Sequence, residues 1–215
     1  MTREGLAKKR ERALKIGEIL IQTYPGTRTF LHHQNPFELL CATVLSAQCT
    51  DERVNQVTPG LFSQFPTPHS MAESTPDLVV VPIRPISFCY TKATHLVELS
   101  KLLIQNHNGQ VPPDLNELIK LPGVGRKTAN VVLGQAFNQP GITVDTHVKR
   151  LSQRLGFTKH NNPVKIEEDL SKVWQKIVWT EYSSVLILHG RNRCMARSPQ
   201  CEKCEIQTLC PSQKH

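Results

Sequence analysis

The chain has 215 residues, a formal net charge of +8 and an isoelectric point near 9.2, which allows one large or two modest domains and favours a polyanionic partner. Six basic side chains (Arg3, Lys8, Lys9, Arg10, Arg12, Lys15) face two acidic ones (Glu4, Glu11) within residues 1–15. No apolar run is long enough to span a bilayer and the N-terminus is too charged for a secretory leader, so the seven cysteines point to a reducing cytoplasm and to metal binding rather than disulfides.

Helix signals fill the chain, and no stretch sustains the alternation of a strand. Residues 6–22 read as an amphipathic helix that stops before Tyr24-Pro25-Gly26. Asn35-Pro36 supplies an N-cap and a first-turn proline for a helix from Phe37 to Ala47. Asp51 caps the next helix, which Pro59-Gly60 should kink or end. Thr67-Pro68 and Thr75-Pro76 repeat the cap-then-proline device for two short helices, and a longer one runs from Thr91 to His107, closed by Gly109. Pro113-Asp114 opens a short helix to Lys120, and a glycine turn leads into another over Arg126 to Phe137. After the linker Gln139-Pro140-Gly141, Asp145 caps Thr146 to Leu155, Asn162-Pro163 starts Val164 to Lys176, and Glu181 to His189 ends at Gly190. The expectation is an all-α chain of about ten short helices.

Four features carry chemistry. In Leu121-Pro122-Gly123-Val124-Gly125-Arg126-Lys127-Thr128-Ala129, two glycines lead into a helix whose free N–H groups and dipole make a phosphate site. Val124 lies between those glycines, and Lys120, Arg126 and Lys127 add charge. Lys127 falls in the first helical turn, where the dipole, Arg126 and partial burial would all favour a neutral amine able to attack a sugar carbon; the other reading is one more phosphate-binding lysine. Asp145, eighteen residues beyond Lys127, is a helix cap, a carboxylate facing the amine across a cleft to stabilise positive charge on a deoxyribose, or both. Cys194, Cys201, Cys204 and Cys210 stand in the spacing C-x6-C-x2-C-x5-C, a closed thiolate set for an iron–sulfur cluster or, less readily, zinc. Basic and acidic residues of 191–210 nearly cancel against an oxidised cluster of about −2, so any DNA contact there is local, through Arg197 in the Cys194–Cys201 loop. Gln48, in Leu45-Ser46-Ala47-Gln48-Cys49-Thr50-Asp51, ends a helix and either fills the gap of an extruded base or is an ordinary terminus. Phe88, on the Pro85–Tyr90 turn, is a duplex wedge or a core residue. Cys41, Cys49 and Cys89 read as buried small apolar residues, and Trp174 and Trp179 as core.

With these residues assembled, the chain resembles the iron–sulfur helix-hairpin-helix DNA glycosylases over nearly its whole length, through Asn35–Leu40, Leu45–Asp51, His107-Asn108-Gly109, the hairpin, Val144-Asp145-Thr146-His147, Leu186–Arg191 and the cysteine spacing. The resemblance implies a six-helix barrel domain at 29–139 with the helix-hairpin-helix. It also implies a second helical domain, from 1–28 and 140–215, holding a [4Fe–4S] cluster on the four cysteines. It further implies excision of oxidised pyrimidines from damaged double-stranded DNA, with Lys127 as nucleophile, Asp145 as its partner, and Gly123, Val124, Gly125, Arg126, Gln48, Phe88, His147 and Arg197 on the DNA. The protein is expected to act as a monomer at the bacterial nucleoid in the cytoplasm, with no membrane partner. Three departures stand out: Ile86-Ser87-Phe88-Cys89-Tyr90 replaces a turn that usually carries glycine and an aromatic, Ser198 and Gln200 replace common basic residues of the cysteine loop, and Pro59-Gly60 falls where a continuous helix would be expected. With fewer basic groups on the phosphates, binding weakens and its salt dependence flattens. Two rivals are a mismatch-specific glycosylase on the same scaffold, which generally lacks the hairpin lysine, and a non-catalytic, metal-stabilised DNA-binding module needing neither Lys127 nor Asp145.

Overall fold

The computed structural model describes residues 4–26 and 30–213; Arg3 of the basic N-terminal stretch, and positions 28 and 29 where the expected domain boundary falls, lie outside them. The described residues contain eleven α-helices, three short 3-10 turns and no strand. The chain divides into two compact units, a terminal one (Met1–Arg28 with Pro140–His215) and a middle one (Thr29–Gln139). No helix among the described residues is long and apolar enough to cross a membrane.

Helix α1, Leu6–Thr23, opens the terminal unit and buries Ala13, Ile16, Gly17 and Leu20. Gly17 is there for proximity: a Cβ on it would overlap the ring of Tyr182.

The middle unit is built around α2, Pro36–Leu45, whose residues after the proline are all buried. Asn35 caps it: Asn35 Oδ1 accepts the Glu38 N–H at 3.0 Å, and the Glu38 carboxylate accepts the Gln34 N–H at 2.7 Å and the Asn35 side-chain N–H at 3.2 Å. Helix α3, Asp51–Gln64, departs from expectation twice. Its cap is Thr50, whose hydroxyl accepts the Arg53 N–H, while Asp51 and Glu52 occupy the first turn, where carboxylates favour the dipole. Pro59 does not end it, because Val54, Val57, Thr58 and Leu61 hold one buried face that outweighs a single missing N–H. Helices α4, Pro68–Ala72, and α5, Pro76–Val80, both begin at proline; Thr67 and Ser70 form a capping box, whereas Thr75 makes no side-chain cap. Helix α6, Cys89–His107, starts two residues earlier than expected and ends where Asn108 and Gly109 turn left-handed, with the Gly109 N–H on Leu103 O at 3.0 Å. Helices α7, Leu115–Leu118, and α8, Arg126–Ala136, flank the glycine turn. One apolar core joins Leu39, Leu40, Leu61, Leu96, Leu99 and Leu118, each fully buried aliphatic contributing roughly 1.5–3 kcal/mol. Cys41 is buried, but Cys49 and Cys89 are only half-buried on the core's rim, because each sits beside an exposed turn.

The terminal unit continues with α9, Thr146–Arg154, α10, Pro163–Val173, and α11, Trp179–Asn192. Helix α10 stops three residues short of expectation because Trp174 turns extended, buries its ring edge-on to Tyr182 at 5.7 Å, and accepts the Trp179 indole N–H on its carbonyl. Trp174 is core and Trp179 half-buried. Gly190 lies inside α11 rather than after it: the His147 side chain stands 2.9 Å from where a Cβ would be, so the small residue serves helix packing and not termination.

Candidate functional site

Leu121 and Val124 are buried and anchor the glycine turn, with the Val124 N–H on Leu121 O at 3.1 Å. The two glycines have different reasons. Gly123 has φ +76, and a Cβ there would stand 2.8 Å from His95 Nδ1 and 3.1 Å from Val44 Cγ1, so the fold itself demands glycine. Gly125 has φ −87 and open space around its would-be Cβ. It caps α8 without a side chain, leaving the first-turn N–H groups available to an anion. Lys127 is the second residue of α8 and is exposed, without a hydrogen-bond or ion-pair partner among the described residues. Its expected partial burial is not found: Gly125, Arg126 and Lys127 are all exposed, and burial begins at Thr128 and Ala129. Arg126 is exposed beside it.

Asp145 caps α9, and both bonds fall on one oxygen: Oδ1 accepts the N–H of His147 at 2.8 Å and of Val148 at 2.7 Å. Oδ2 has no partner among the described residues. His147 is half-buried over Gly190, its Nδ1 lies 3.2 Å from Arg150 Nη2, and burial lowers its pKa. Gln48 and Phe88, in the middle unit, are exposed and share a left-handed backbone, φ 54 and 58. Phe88 is 64% exposed, which removes the core reading; Ile86 is the buried residue of that turn. Arg197 is exposed on the cysteine loop.

The four cysteines are unpaired, half-buried, and line one cavity of about 330 Å³ with Arg154 and Arg193. Burial raises the Cys204 and Cys210 thiols, and their neighbours in the quartet raise them further. Thiols that oppose one another's ionisation form a donor set that a bound cationic centre would relieve. A lone zinc draws sulfur to about 2.3 Å, whereas this cavity has room for a polynuclear group, so the residues fit iron–sulfur better than zinc. Several contacts shape the loop. Arg154 Nη1 reaches Cys194 Sγ at 3.1 Å and Met195 O at 2.8 Å, and its Nη2 reaches Ala196 O at 2.9 Å. Arg193 binds Gln200 Oε1 at 2.7 Å and Glu205 at 2.8 Å, so Gln200 is a loop brace. From α1, Arg12 donates to Leu209 O while covering the Phe157 ring. His189, Cys204 and Glu205 also come together, but Cys204 belongs to the quartet and Glu205 to Arg193, so they are no separate centre.

Sequence reasoning missed Arg150, Arg154 and His189. The arginines carried one signal, a four-residue spacing that puts both on one face of the helix that Asp145 caps; buried His189, its pKa lowered to about 4, carried none.

An exposed lysine on the glycine hairpin of the middle unit, with a capping aspartate and a four-cysteine cavity in the terminal unit, is the set of features found in an iron–sulfur DNA glycosylase. Residues 41–176 match the family profile of HhH-GPD superfamily base excision DNA repair proteins, and residues 194–210 that of the iron–sulfur binding domain of endonuclease III. Endonuclease III of Synechocystis is 47% identical over 208 residues, covering 96% of this chain and 95% of that protein. The Escherichia coli K12 enzyme is 43% identical over 197 residues, 92% of this chain and 93% of its own. The structure of a trapped covalent intermediate of an endonuclease III with DNA superposes with a TM-score of 0.89, at 42% identity, over 95% of this chain and 96% of that one. The chain belongs to the endonuclease III family of the HhH-GPD superfamily. It is a DNA N-glycosylase and AP lyase of base excision repair, it binds DNA, and its cofactor is a [4Fe–4S] cluster.

Proposed function

We propose that this activity runs through Lys127 as nucleophile and Asp145 as its electrostatic partner on one deoxyribose. The middle unit serves as the six-helix barrel domain (29–139), and the terminal unit (1–28 with 140–215) as the cluster domain with Cys194, Cys201, Cys204 and Cys210 as ligands. The hairpin segment Gly123-Val124-Gly125-Arg126 grips a phosphate through its free N–H groups, His147 and Arg197 add backbone contacts, and the lesion leaves the stack as Gln48 and Phe88 enter it. Asp145 stabilises the positive charge that grows on the sugar, Lys127 attacks C1′, and the oxidised pyrimidine departs. The imine makes the C2′ proton acidic; its loss expels the 3′ phosphate, and water then releases the lysine. Held by Cys194, Cys201, Cys204 and Cys210, the cluster would order the C-terminal segment that carries Arg197. The partner is damaged double-stranded DNA, met by a monomer at the nucleoid.

The observation that carries the reading is the exposed amine of Lys127 in the first turn of the hairpin helix, without a partner among the described residues. A duplex bearing thymine glycol tests it. The expected result is base release together with a strand cut leaving an unsaturated aldehyde on the 3′ end. Base release with the strand intact would mean water, not lysine, is the nucleophile, and no release would favour a binding module.

A further inference from the structure

We propose that Lys92 is a positioning residue for duplex opening: its buried ammonium ties the end of α2 to the start of α6 and so sets where Gln48 and Phe88 stand. Lys92 is 6% exposed, and its Nζ donates to Leu45 O at 2.8 Å and Ala47 O at 2.6 Å. These are carbonyls at the C-terminal end of α2, where helix bonding runs out and the dipole favours a cation. Gln48, the residue after Ala47, takes the left-handed conformation that side chains rarely adopt. On the other side Lys92 lies in the first turn of α6, its own N–H on Phe88 O at 3.0 Å, and Phe88 is left-handed too. A single side chain therefore spans two turns, each presenting one exposed, strained residue.

Among the described residues, no carboxylate partners this ammonium. Burial lowers its pKa, and the nearby Cys49 and Cys89 thiols act in the opposite sense. A core position filled only for packing would be served better by an apolar residue, since a buried cation held by carbonyls alone is costly. The arrangement makes sense where the two turns must be held against the load of unstacking a duplex.

This inference rests on the reading that Gln48 and Phe88 enter DNA, and the experiment separates the two. Purified holoenzyme carrying Lys92→Met is compared with wild type on two substrates. The first is a duplex with 2-aminopurine beside the lesion, whose fluorescence reports extrusion; the second is a single-stranded abasic oligonucleotide trapped with borohydride, which reports Lys127 chemistry without opening a duplex. Extrusion is expected to slow by roughly tenfold or more, the scale of a missing charge-assisted hydrogen bond, with single-strand trapping unchanged. Should Lys92→Met not fold, Lys92→Gln, which keeps a donor for one carbonyl, is read the same way. Gln48→Ala and Phe88→Ala run alongside. If neither slows extrusion, the underlying reading fails; if they do and the Lys92 variant does not, or if it loses both substrates equally, the Lys92 assignment is overturned.

Discussion

One oxygen of Asp145, Oδ1, receives the N–H of Val148 at 2.7 Å as well as that of His147. The helix cap thus uses half of the carboxylate and fixes the direction of the other half. Structure and chemistry are separable at this residue. Asp145→Asn keeps an acceptor for both N–H groups and is expected to melt like wild type, while glycosylase turnover falls about a hundredfold or more through loss of the charge. Asp145→Ala loses the same turnover and about 1 kcal/mol of stability besides. Thermal melts beside single-turnover base release check both.

The hairpin glycines divide the same way. Gly123→Ala meets His95 and Val44 at a left-handed position and is expected to cost about 1–3 kcal/mol of stability. Gly125→Ala meets nothing within 4 Å and leaves φ acceptable, so stability holds while DNA binding weakens, because only an incoming phosphate needs that space. Titrating affinity against salt should show the slope of log K shrinking by about 0.9 for each phosphate that the variant no longer neutralises.

Arg154 gathers Cys194, Met195 and Ala196 with four donated bonds. Arg154→Met frees Cys194, the first cysteine of the loop. The protein is expected to be purified with less visible absorbance per chain and to bleach faster in air, with helix content retained. Bleaching at the wild-type rate would mean the thiolates alone hold the site.

A pH effect follows from the N-terminal helix. Arg12 grips Glu4 through two bonds, 2.8 and 2.7 Å, and that contact lowers the Glu4 pKa from its ordinary 4.5. A carboxyl lowered in the folded state contributes stability above its unfolded value and loses it as pH falls through the folded one. The melting gap between wild type and Glu4→Gln should be steady near neutrality and narrow below pH 4.5. The pair is partly exposed, so the gap is small and shrinks further in salt.

Elements whose start is written in three or four consecutive residues were legible in the sequence. Asn35-Pro36, Asp114, Asp145 and Asn162-Pro163 all cap where their side-chain chemistry says, because a cap bond is local. What depended on packing was not legible. Pro59 stayed inside α3 and Gly190 inside α11, each held there by packing, while Thr50 and Asp51 are adjacent capping residues of which the hydroxyl, not the carboxylate, takes the cap bond. The same holds for the site: Lys127, Asp145 and the cysteines carry recognisable spacing. Lys92 and Arg154 act through backbone carbonyls 45 and more than 40 positions away respectively, a relation no local pattern encodes.

The most direct measurement is borohydride reduction during the reaction with a thymine-glycol duplex. Wild type should yield a covalent protein–DNA product, and Lys127→Ala, with its fold and cluster retained, should yield none. A trapped product of undiminished yield from Lys127→Ala would place the nucleophile elsewhere and contradict the account.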